Sequence, residues 1–329
     1  MTIRVLCYGL GSIGLGIARL AAQRADLQIA AALDVNPVKT GRDLGDLLGG
    51  PPADIIVTND VATALACQPD IALHATGSSL SQILPELEAL ISAGVRVVST
   101  CEELAYPWAT QPQVAVHLDR LARSHGVTIL GTGINPGYAM DALPLILSAP
   151  CATVRAVHVT RVVDAARRRE QLQHKIGAGL TPEAFAARVK AGVVRHVGLH
   201  ESLYMLAGAF GWQLEHVEYQ VEPMIAQQSI ETAYMQIAAG QVAGICQILS
   251  GRIYSKEVLR LELQLYLGAT NPRDEIVIDG NPPLHITIEG GIPGDISTAA
   301  LVVNATPTVM RATPGLATMS DVGMVHWKG

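Results

Sequence analysis

The fold of this 329-residue chain is indicated by one stretch near the N-terminus, Ile3–Gly14, which reads IRVLCYGLGSIG. A short, mostly apolar run that is typical of a buried strand leads into glycines at the spacing Gly-x-Gly-x-x-Gly. The first glycine allows a tight turn, the second lets the backbone approach a pyrophosphate, and the third lets the next helix pack on the strand. Free N–H groups at the start of that helix would bind the phosphates. We therefore predict that a dinucleotide is bound by Gly9, Gly11, Ser12, Ile13 and Gly14.

Asp34 supplies context for the glycine pattern, which alone is weak evidence. It closes the next apolar run, Ile29–Leu33, about 20 residues downstream, where dinucleotide-binding folds place an acid that binds the adenine ribose. A carboxylate there repels a 2′-phosphate, so we predict NAD as the cofactor. NADP is the alternative, because Lys39 and Arg42 are near enough in sequence to weaken this preference. Both charges are, however, slightly more typical of a solvated loop.

The first 130 residues alternate short apolar runs with helix-like stretches of about ten residues or more. After the glycine turn, the apolar runs are Ile29–Leu33, Ile55–Val57, Ile71–Ala75, Val95–Val98 and Val127–Leu130. This rhythm predicts parallel βαβ units and a Rossmann-type, doubly wound α/β sheet. A helix-like stretch near the C-terminus, Thr298–Met310, is expected to return and pack on this sheet.

After about residue 150, apolar and polar residues alternate one by one. In Glu257–Leu267 every second residue from Leu259 onward is leucine, and Leu284–Glu289 alternates in the same way. A period of two is typical of half-buried strands in an antiparallel sheet. The second region is thus predicted to be α+β with a mainly antiparallel sheet. We assign residues 1–138, with 296–329 returning, to a dinucleotide-binding domain, and 139–295 to a substrate and dimerisation domain.

The composition excludes several classes of protein. A net charge of −6 and a pI near 5.9 give no electrostatic basis for nucleic-acid binding. The longest run without a charged residue, Thr232–Gly251, is interrupted by glutamines and glycines, so we interpret it as buried structure and predict no membrane segment. The five cysteines lie far apart without metal-ligand or redox spacing, so no metal site is predicted. With no leader pattern before Ile3, these features favour the cytoplasm.

Three predicted loops follow strands at the carboxyl edge of the first sheet, where parallel α/β sheets bind ligands. They span residues 74–78, 99–103 and 131–137, and each joins an apolar strand to small or polar residues. Any one of them could be ordinary turn chemistry, but three on one edge suit a pocket for a nicotinamide and a substrate. The cofactor-binding candidates in the first loop are Thr76, Gly77 and Ser78.

Two adjacent acids, Glu102 and Glu103, lie in the second of these loops. Their side chains diverge, so at most one is expected to face the ligand, and either could instead cap a short helix. Oxidation of an alcohol requires a group that stabilises an alkoxide. Oxidation of an amine passes from an ammonium to an iminium, and a carboxylate stabilises both. The acids therefore fit amine chemistry better than alcohol chemistry.

Further motifs carry a family resemblance. They are Cys101–Leu104 with Tyr106 and Pro107, Gly131–Gly137, Arg161–Ala165, Lys175–Gly177, His196–Ser202 and Gly294–Ala299 with Asn304. Over nearly its whole length the chain resembles the 2,4-diaminopentanoate dehydrogenases and the related native amine dehydrogenases, and its N-terminal domain is similar to that of dihydrodipicolinate reductases. The resemblance implies a homodimer that catalyses NAD(P)-dependent oxidative deamination of an amine or diamino acid. It also implies the reverse reaction, reductive amination of a carbonyl with ammonia.

The same resemblance implies roles for single residues. The catalytic acid would be Glu102, with Glu103 as the second choice, and Asn135 would lie near the nicotinamide carboxamide. The candidates for pocket walls are Tyr106, Trp108, Tyr138 and Met140, although these residues fit a role in the core equally well.

Arg161 and His196 are further pocket candidates, and the nature of the substrate depends on them. An arginine in the basic region that runs from Arg161 to Lys175 could bind a substrate carboxylate in a bidentate pair. The run Arg167–Arg169 is more typical of a solvated face or an interface, and His196 of structural hydrogen bonding. A simple amine or ketone would need an apolar wall instead. Two other functions are alternatives: a reductase like dihydrodipicolinate reductase or homoserine dehydrogenase that uses no ammonia, and a catalytically silent NAD-binding sensor.

Overall fold

The computed structural model describes residues 2–328, which form two compact units. The first unit comprises the chain up to Tyr138 and the segment from Pro293 onward, and the second is Ala139–Ile292. The first unit begins with β1 (Ile3–Tyr8), α1 (Ser12–Ala22), β2 (Leu27–Leu33), α2 (Leu44–Leu48), α3 (Val61–Ala66), β3 (Ile71–His74), α4 (Leu80–Ser92), β4 (Arg96–Ser99), a 3-10 helix (Glu102–Leu104), α5 (Pro107–Thr110), α6 (Pro112–Ser124) and β5 (Thr128–Gly131).

The second unit contains both strands and helices. Its elements are α7 (Ala142–Ser148), β6 (Thr153–Asp164), a 3-10 helix (Ala165–Arg167), α8 (Glu170–Lys175), α9 (Pro182–Lys190), α10 (Leu199–Phe210), β7 (His216–Ile225), β8 (Ile230–Glu231), β9 (Gln236–Ile237), β10 (Val242–Ile253), β11 (Lys256–Tyr266), β12 (Arg273–Asn281) and β13 (Leu284–Glu289). The chain then returns to the first unit with α11 (Gly294–Val309) and β14 (Gly315–Ala317).

The first unit is built on a parallel six-stranded sheet in the order β14-β5-β4-β3-β1-β2. Successive strand residues face opposite sides of the sheet, so Val5 is buried against α1 and α11 whereas Leu6 is buried with residues of α4 and α6. Since helices cover both faces, the central residues of these strands are mostly apolar and show no regular alternation. The predicted Rossmann-type α/β class is confirmed.

The last residues of four strands form one row across this sheet. Tyr8 is paired in register with His74, His74 with Ser99, and Ser99 with Gly131. The loops that follow these strands therefore begin at the same level, at the carboxyl edge.

Two details of the first unit differ from the sequence-based expectation. The apolar run Ile55–Val57 is not a strand of the sheet. Ile56 makes a single antiparallel bridge with Asp43, the following Thr58 makes a single parallel bridge with Leu33, and Ile56 is 61% exposed. The short strand β14 was not expected. It is parallel to β5 and extends the sheet at that edge.

The second unit contains a mixed six-stranded sheet in the order β13-β12-β6-β11-β10-β7. Strands β6 and β11 are parallel, and the other neighbours are antiparallel, which confirms the mainly antiparallel sheet. Along β11 the alternate leucines Leu259, Leu261, Leu263 and Leu265 are buried as the period of two predicts.

The uncharged stretch Thr232–Gly251 ends in β10, a strand that is buried on both sides along most of its length. A Cβ on Gly244 would lie 2.2 Å from the carbonyl oxygen of Leu265, so glycine is needed where β10 approaches β11. Double-sided burial explains the absence of charge in β10, but residues 233–240 are mostly exposed, so the expectation of a buried stretch was wrong for this first half. No helix among residues 2–328 has the length and apolarity needed to cross a membrane.

A buried ion pair joins β6 to β12 in this sheet. Arg161 and Asp274 are paired in register, and their side chains are 3% and 1% exposed. Arg161 Nη1 donates to Asp274 Oδ1, and Nη2 donates to the carbonyl oxygen of Ile292 at 2.6 Å. Asp274 Oδ2 in turn accepts the N–H of Ile292 at 2.7 Å. The two charges thus compensate each other and fix the end of the second unit at Ile292.

We expect Asp274→Asn to lower the free energy of unfolding by about 3 kcal/mol, because it leaves the Arg161 guanidinium buried without a counter-charge. Urea denaturation followed by circular dichroism measures this change. Asp279→Asn is the matched control, since Asp279 pairs with Arg155 on the same two strands but both side chains are more than half exposed. The control should leave the urea midpoint nearly unchanged, and equal losses in both variants would contradict the prediction.

Candidate active site

The turn between β1 and α1 has the geometry that a pyrophosphate requires. Gly9 has a φ of +86°, and a Cβ there would lie 2.5 Å from the carbonyl oxygen of Ala75. A Cβ on Gly14 would lie 1.8 Å from the carbonyl oxygen of Gly9, so only glycine lets α1 pack on this turn. A Cβ on Gly11, by contrast, would meet nothing within 4 Å, and the first turn of α1 borders this open space. The turn therefore fits the phosphates of a dinucleotide.

Asp34 is buried just beyond β2 and accepts hydrogen bonds from three donors. Oδ2 accepts from Leu10 N–H at 2.7 Å and from Lys39 Nζ at 3.1 Å, and Oδ1 accepts from Asn36 N–H at 2.8 Å. Burial raises the pKa of Asp34, but these hydrogen bonds and the Lys39 charge outweigh that effect and hold its pKa below the usual value. The carboxylate therefore fixes the glycine turn to β2, while Lys39 neutralises the charge that would repel a 2′-phosphate.

The loop after β5 presents an amide whose oxygen and nitrogen have no hydrogen-bond partner within the described part of the chain. Asn135 is 8% exposed, and both its Oδ1 and Nδ2 are buried without a hydrogen-bond partner among residues 2–328. Helix α11 fixes this loop, because Thr298 Oγ1 accepts the N–H of Ile134 at 3.2 Å. A buried amide with both groups unsatisfied is costly unless a ligand pairs with it. A carboxamide such as that of nicotinamide matches the donor and the acceptor, so these residues fit the cofactor.

The structure distinguishes between the two adjacent glutamates. Glu103 Oε2 accepts the N–H of Leu80, the first residue of α4, at 2.8 Å and the side-chain N–H of Gln111 at 2.9 Å. Glu103 thus ties its own loop to the start of α4. Glu102 is half-buried at the first position of the 3-10 helix.

Gly131 determines how close this 3-10 helix lies to the sheet. A Cβ on Gly131 would lie 2.5–2.6 Å from backbone atoms of Leu104 and Ala105. Only a glycine at the end of β5 therefore allows the turn that carries Glu102 to pack directly on the strand. Cys101, which precedes this turn, is a buried thiol whose pKa is raised by burial, so it stays protonated and is a poor nucleophile.

The predicted wall residues lie in different surroundings. Trp108 packs on the core of the first unit and borders a cavity of about 730 Å³ formed with residues between 308 and 324. The pKa of Tyr106 is raised by burial and by the nearby carboxylate of Asp321. Tyr138 is half-buried and Met140 is fully buried. Trp108 thus faces the C-terminal segment of its own unit.

In the second unit, positive charges surround His196. Burial, and then the charges of Lys175, Arg161 and Arg168, lower the pKa of His196 to about 3. Its backbone N–H donates to Gln247 Oε1 at 2.7 Å, and its Nδ1 is buried with no hydrogen-bond partner within the described part of the chain. His196 is therefore neutral at physiological pH. Since both terminal nitrogens of Arg161 are used by Asp274 and Ile292, Arg161 contributes charge here rather than a bidentate grip.

Three residues that the sequence did not single out as contacts help to form these sites: Gln111, Thr298 and Gln247 orient Glu103, the Asn135 loop and His196. Lys39, considered in the sequence only as a charge near Asp34, contacts its carboxylate directly. The contacts of Thr298 and Gln247 span 164 and 51 residues, distances that no local motif encodes. Among residues 2–328, no group of three or more His, Cys, Asp or Glu side chains could hold a metal ion.

Comparison with known proteins gives one family match. Residues 138–327 match the family model described as the 2,4-diaminopentanoate dehydrogenase C-terminal domain. The chain is 32% identical to a 2,4-diaminopentanoate dehydrogenase of Acetoanaerobium sticklandii, over 97% of this chain and 93% of the relative. It is 22% identical to an amine dehydrogenase of Streptomyces virginiae, over 97% of this chain and 96% of the relative.

A solved structure extends the similarity to the whole fold. The amine dehydrogenase of Mycobacterium smegmatis superposes with a TM-score of 0.89 and 26% sequence identity, covering 100% of this chain and 98% of that one.

The charge state of His196 leads to a prediction about acid stability. The unfolded chain protonates this histidine near pH 6.5, whereas the folded protein keeps it neutral down to about pH 3. Between these values the unfolded state binds more protons, so stability falls as the pH falls through this window. We expect His196→Gln to lose less stability than wild type between pH 6.5 and pH 5, as measured by melting temperature.

His125→Gln, at an exposed position, provides the control and should retain the wild-type pH dependence. If His196→Gln and wild type lose the same stability over this range, His196 is not held neutral by its surroundings.

Proposed function

Because the chain belongs to the 2,4-diaminopentanoate dehydrogenase family, we propose that it oxidatively deaminates 2,4-diaminopentanoate or a closely related diamino acid. The protein is an NAD(P)-dependent oxidoreductase that acts on the CH–NH2 group. In the reverse direction it would aminate the corresponding keto acid with ammonia. The mechanistic part of the proposal assigns the acid–base role to Glu102, as the family resemblance implies. The observation that supports this choice over Glu103 is that the Glu103 carboxylate accepts hydrogen bonds from Leu80 and Gln111 and so holds its loop against α4.

The residues that would hold the cofactor all belong to the first unit. The glycine turn and the start of α1 fit the phosphates, and Thr76, Gly77 and Ser78 follow β3 at the same sheet edge. The unsatisfied Asn135 amide fits the carboxamide. When bound, the nicotinamide supplies or accepts the hydride.

Acceptance of both NAD and NADP is part of the proposal. The negative charge of Asp34 would repel a 2′-phosphate. Because Lys39 Nζ lies 3.1 Å from this carboxylate and compensates its charge, the repulsion is weakened. Arg42 is exposed in the same loop and provides a second cation. We infer that NAD is used and that NADP is tolerated.

Glu102 would manage the protons of the reaction. In the direction of deamination its carboxylate takes a proton from the substrate ammonium and releases it to solvent, and the ionised carboxylate then stabilises the positive charge of the substrate iminium. It next accepts a proton from the water that adds to the iminium carbon and donates that proton to the nitrogen, which leaves as ammonia when the carbonyl forms. In the direction of amination Glu102 returns these protons in reverse order. Glu103 holds the loop, and thereby the Glu102 backbone, against α4.

The cations of the second unit support a substrate that carries a carboxylate. Lys175, Arg161 and Arg168 act together on His196, and the charge of Arg161 is already compensated by Asp274. We infer that Lys175 attracts the substrate carboxylate, while neutral His196 serves as a hydrogen-bonding partner.

A homodimer and a cytoplasmic location complete the proposal. The face of the second sheet opposite the buried leucines carries charges of both signs, with Arg260 near Glu262 at 3.3 Å and Arg273 near Glu275 at 3.0 Å. A face with both signs can be complementary to a second copy of itself across a two-fold axis. All five cysteines are free thiols, which suits a reducing compartment.

The acid–base role is tested by Glu102→Gln. We expect kcat for NAD reduction with 2,4-diaminopentanoate to fall about a thousandfold, because general acid–base catalysis contributes on this scale. Glu103→Gln is the matched control. Its neutral amide accepts weaker hydrogen bonds than the carboxylate, so the variant should melt at a lower temperature. Because the amide oxygen can still accept from Leu80, the variant should retain kcat within about tenfold. Full activity of Glu102→Gln, or reductive activity that does not depend on ammonia, would refute the proposed reaction.

The substrate class is tested by the steady-state kinetics of Lys175→Met. Loss of one charged partner should raise the KM for 2,4-diaminopentanoate about tenfold, and the kinetics with 2,4-diaminopentanamide, which has no carboxylate, should not change. Lys190→Met, on the exposed end of α9, should behave like wild type with both substrates. Equal effects of Lys175→Met on the acid and the amide would argue against a carboxylate site.

A further inference from the structure

Beneath the loops that carry Thr76 and Glu102 lies a chain of hydrogen bonds between polar side chains. His74 and Ser99, the last residues of β3 and β4, are paired in register and are 0% exposed. His74 Nδ1 lies 2.9 Å from Ser99 Oγ, and His74 Nε2 lies 2.7 Å from Oε2 of Glu86 on α4. The ring of Tyr8 packs edge-on against His74 with 5.2 Å between the ring centroids. The imidazole is therefore restrained on all these sides.

Each end of this chain reaches a different loop. Ser99 Oγ accepts the backbone N–H of Cys101, the residue before Glu102, at 3.1 Å. At the other end, Thr76 Oγ1 donates to Glu86 Oε2 at 2.6 Å. The loop with the catalytic candidate and the loop with the cofactor-binding candidates are thus joined through His74.

One assignment of hydrogens satisfies every group in the chain. Burial raises the pKa of Glu86, but hydrogen bonds from His74 and Thr76 outweigh it and hold the pKa below its usual value, so Glu86 is an ionised acceptor. His74 Nε2 must then carry a hydrogen. Because Ser99 Oγ accepts from Cys101, its own hydrogen is available for His74 Nδ1. A neutral imidazole protonated on Nε2 fits this arrangement.

A polar side chain at this position is not required for packing. Ile71, Ala72 and Leu73, which precede His74 on β3, are apolar and equally buried. A buried imidazole is costly unless both nitrogens are paired, whereas an apolar residue would bear no such cost. The imidazole can hydrogen-bond on two opposite sides at once, to Ser99 through Nδ1 and to Glu86 through Nε2, and so fixes these two residues relative to each other.

We propose that His74 is a positioning residue that holds Glu102 and the Thr76 loop at a set separation, through Ser99 on one side and Glu86 on the other. The catalytic consequence rests on the proposed role of Glu102. Since a misplacement of about 1 Å can reduce the rate about a hundredfold, a small shift of the Cys101 backbone suffices to impair turnover.

The test is to break the chain at either end and compare turnover with cofactor binding. Ser99→Ala removes only the hydroxyl, and His74→Gln keeps an amide near Glu86 but loses the contact with Ser99. Both should lower kcat about tenfold or more while the Kd for NADH, from fluorescence titration, stays within about twofold. The double variant should lose no more than either single variant, because both break the same link.

At the opposite end, Glu86→Ala should raise the Kd for NADH more than it lowers kcat. The control is His117→Gln. His117 on α6 pairs with Glu88 on α4 at 2.7 Å, so this contact is also a histidine–glutamate pair to α4, but it lies on the exposed surface. It should show wild-type kcat and Kd.

Wild-type kcat in Ser99→Ala or His74→Gln, or additive losses in the double variant, would overturn the proposal. Hydrogen exchange of residues 100–105 separates this failure from a failure of the Glu102 assignment. Ser99→Ala accelerates the exchange if the network holds the loop, whichever glutamate is the acid, and unchanged exchange overturns the positioning role. If the activity of the variants falls only in proportion to the fraction of folded protein, as measured from melting curves, the positioning role of His74 is also contradicted.

Discussion

The site of this enzyme depends on the register of its parallel sheet. That register places Tyr8, His74, Ser99 and Gly131 side by side at the strand ends. Because side chains alternate between faces, a slip of one residue in any strand would turn its last side chain to the opposite face. Burial of apolar residues on both faces prevents such a slip. Packing of the core thus fixes which polar groups meet at the edge.

Acidic side chains have two different tasks at this edge. Asp34 and Glu103 accept backbone N–H groups from a neighbouring turn or helix, and each thereby joins two segments that are far apart in sequence. Glu86 has the same task through side chains. Carboxylates used in this way are stabilising and are fixed in orientation. In a chain with only 16% charged residues, these structural carboxylates are distinct from Glu102, the acid proposed to transfer protons.

Much of this architecture could be predicted because it rests on local patterns. The glycine spacing required a turn at Gly9, and the alternating leucines required a half-buried strand over Glu257–Leu267. Strand β10 was not predicted, since a strand buried on both faces has no period that distinguishes it from a helix.

The site itself was less accessible from sequence. The adjacent glutamates were recognised as a pair, but their separate surroundings depend on Leu80, which is 23 residues away from Glu103. Arg161 was a candidate for binding a substrate carboxylate, but its guanidinium is paired with Asp274, 113 residues further along the chain. Residue type therefore indicated which chemistry to expect, while long-range contacts determine which side chains are already bound to other parts of the protein.

The return of the chain to the first unit has a consequence for biosynthesis. Ala299, Val302 and Val303 of α11 cover the face of the sheet that also buries Val5 and Ile17. A ribosome releases these covering residues only after the whole second unit has been made. During synthesis the first strands and α1 therefore keep an apolar face exposed to solvent. The second unit can fold before α11 is made and completes the core of the first unit. The order of completion is thus the reverse of the order of synthesis.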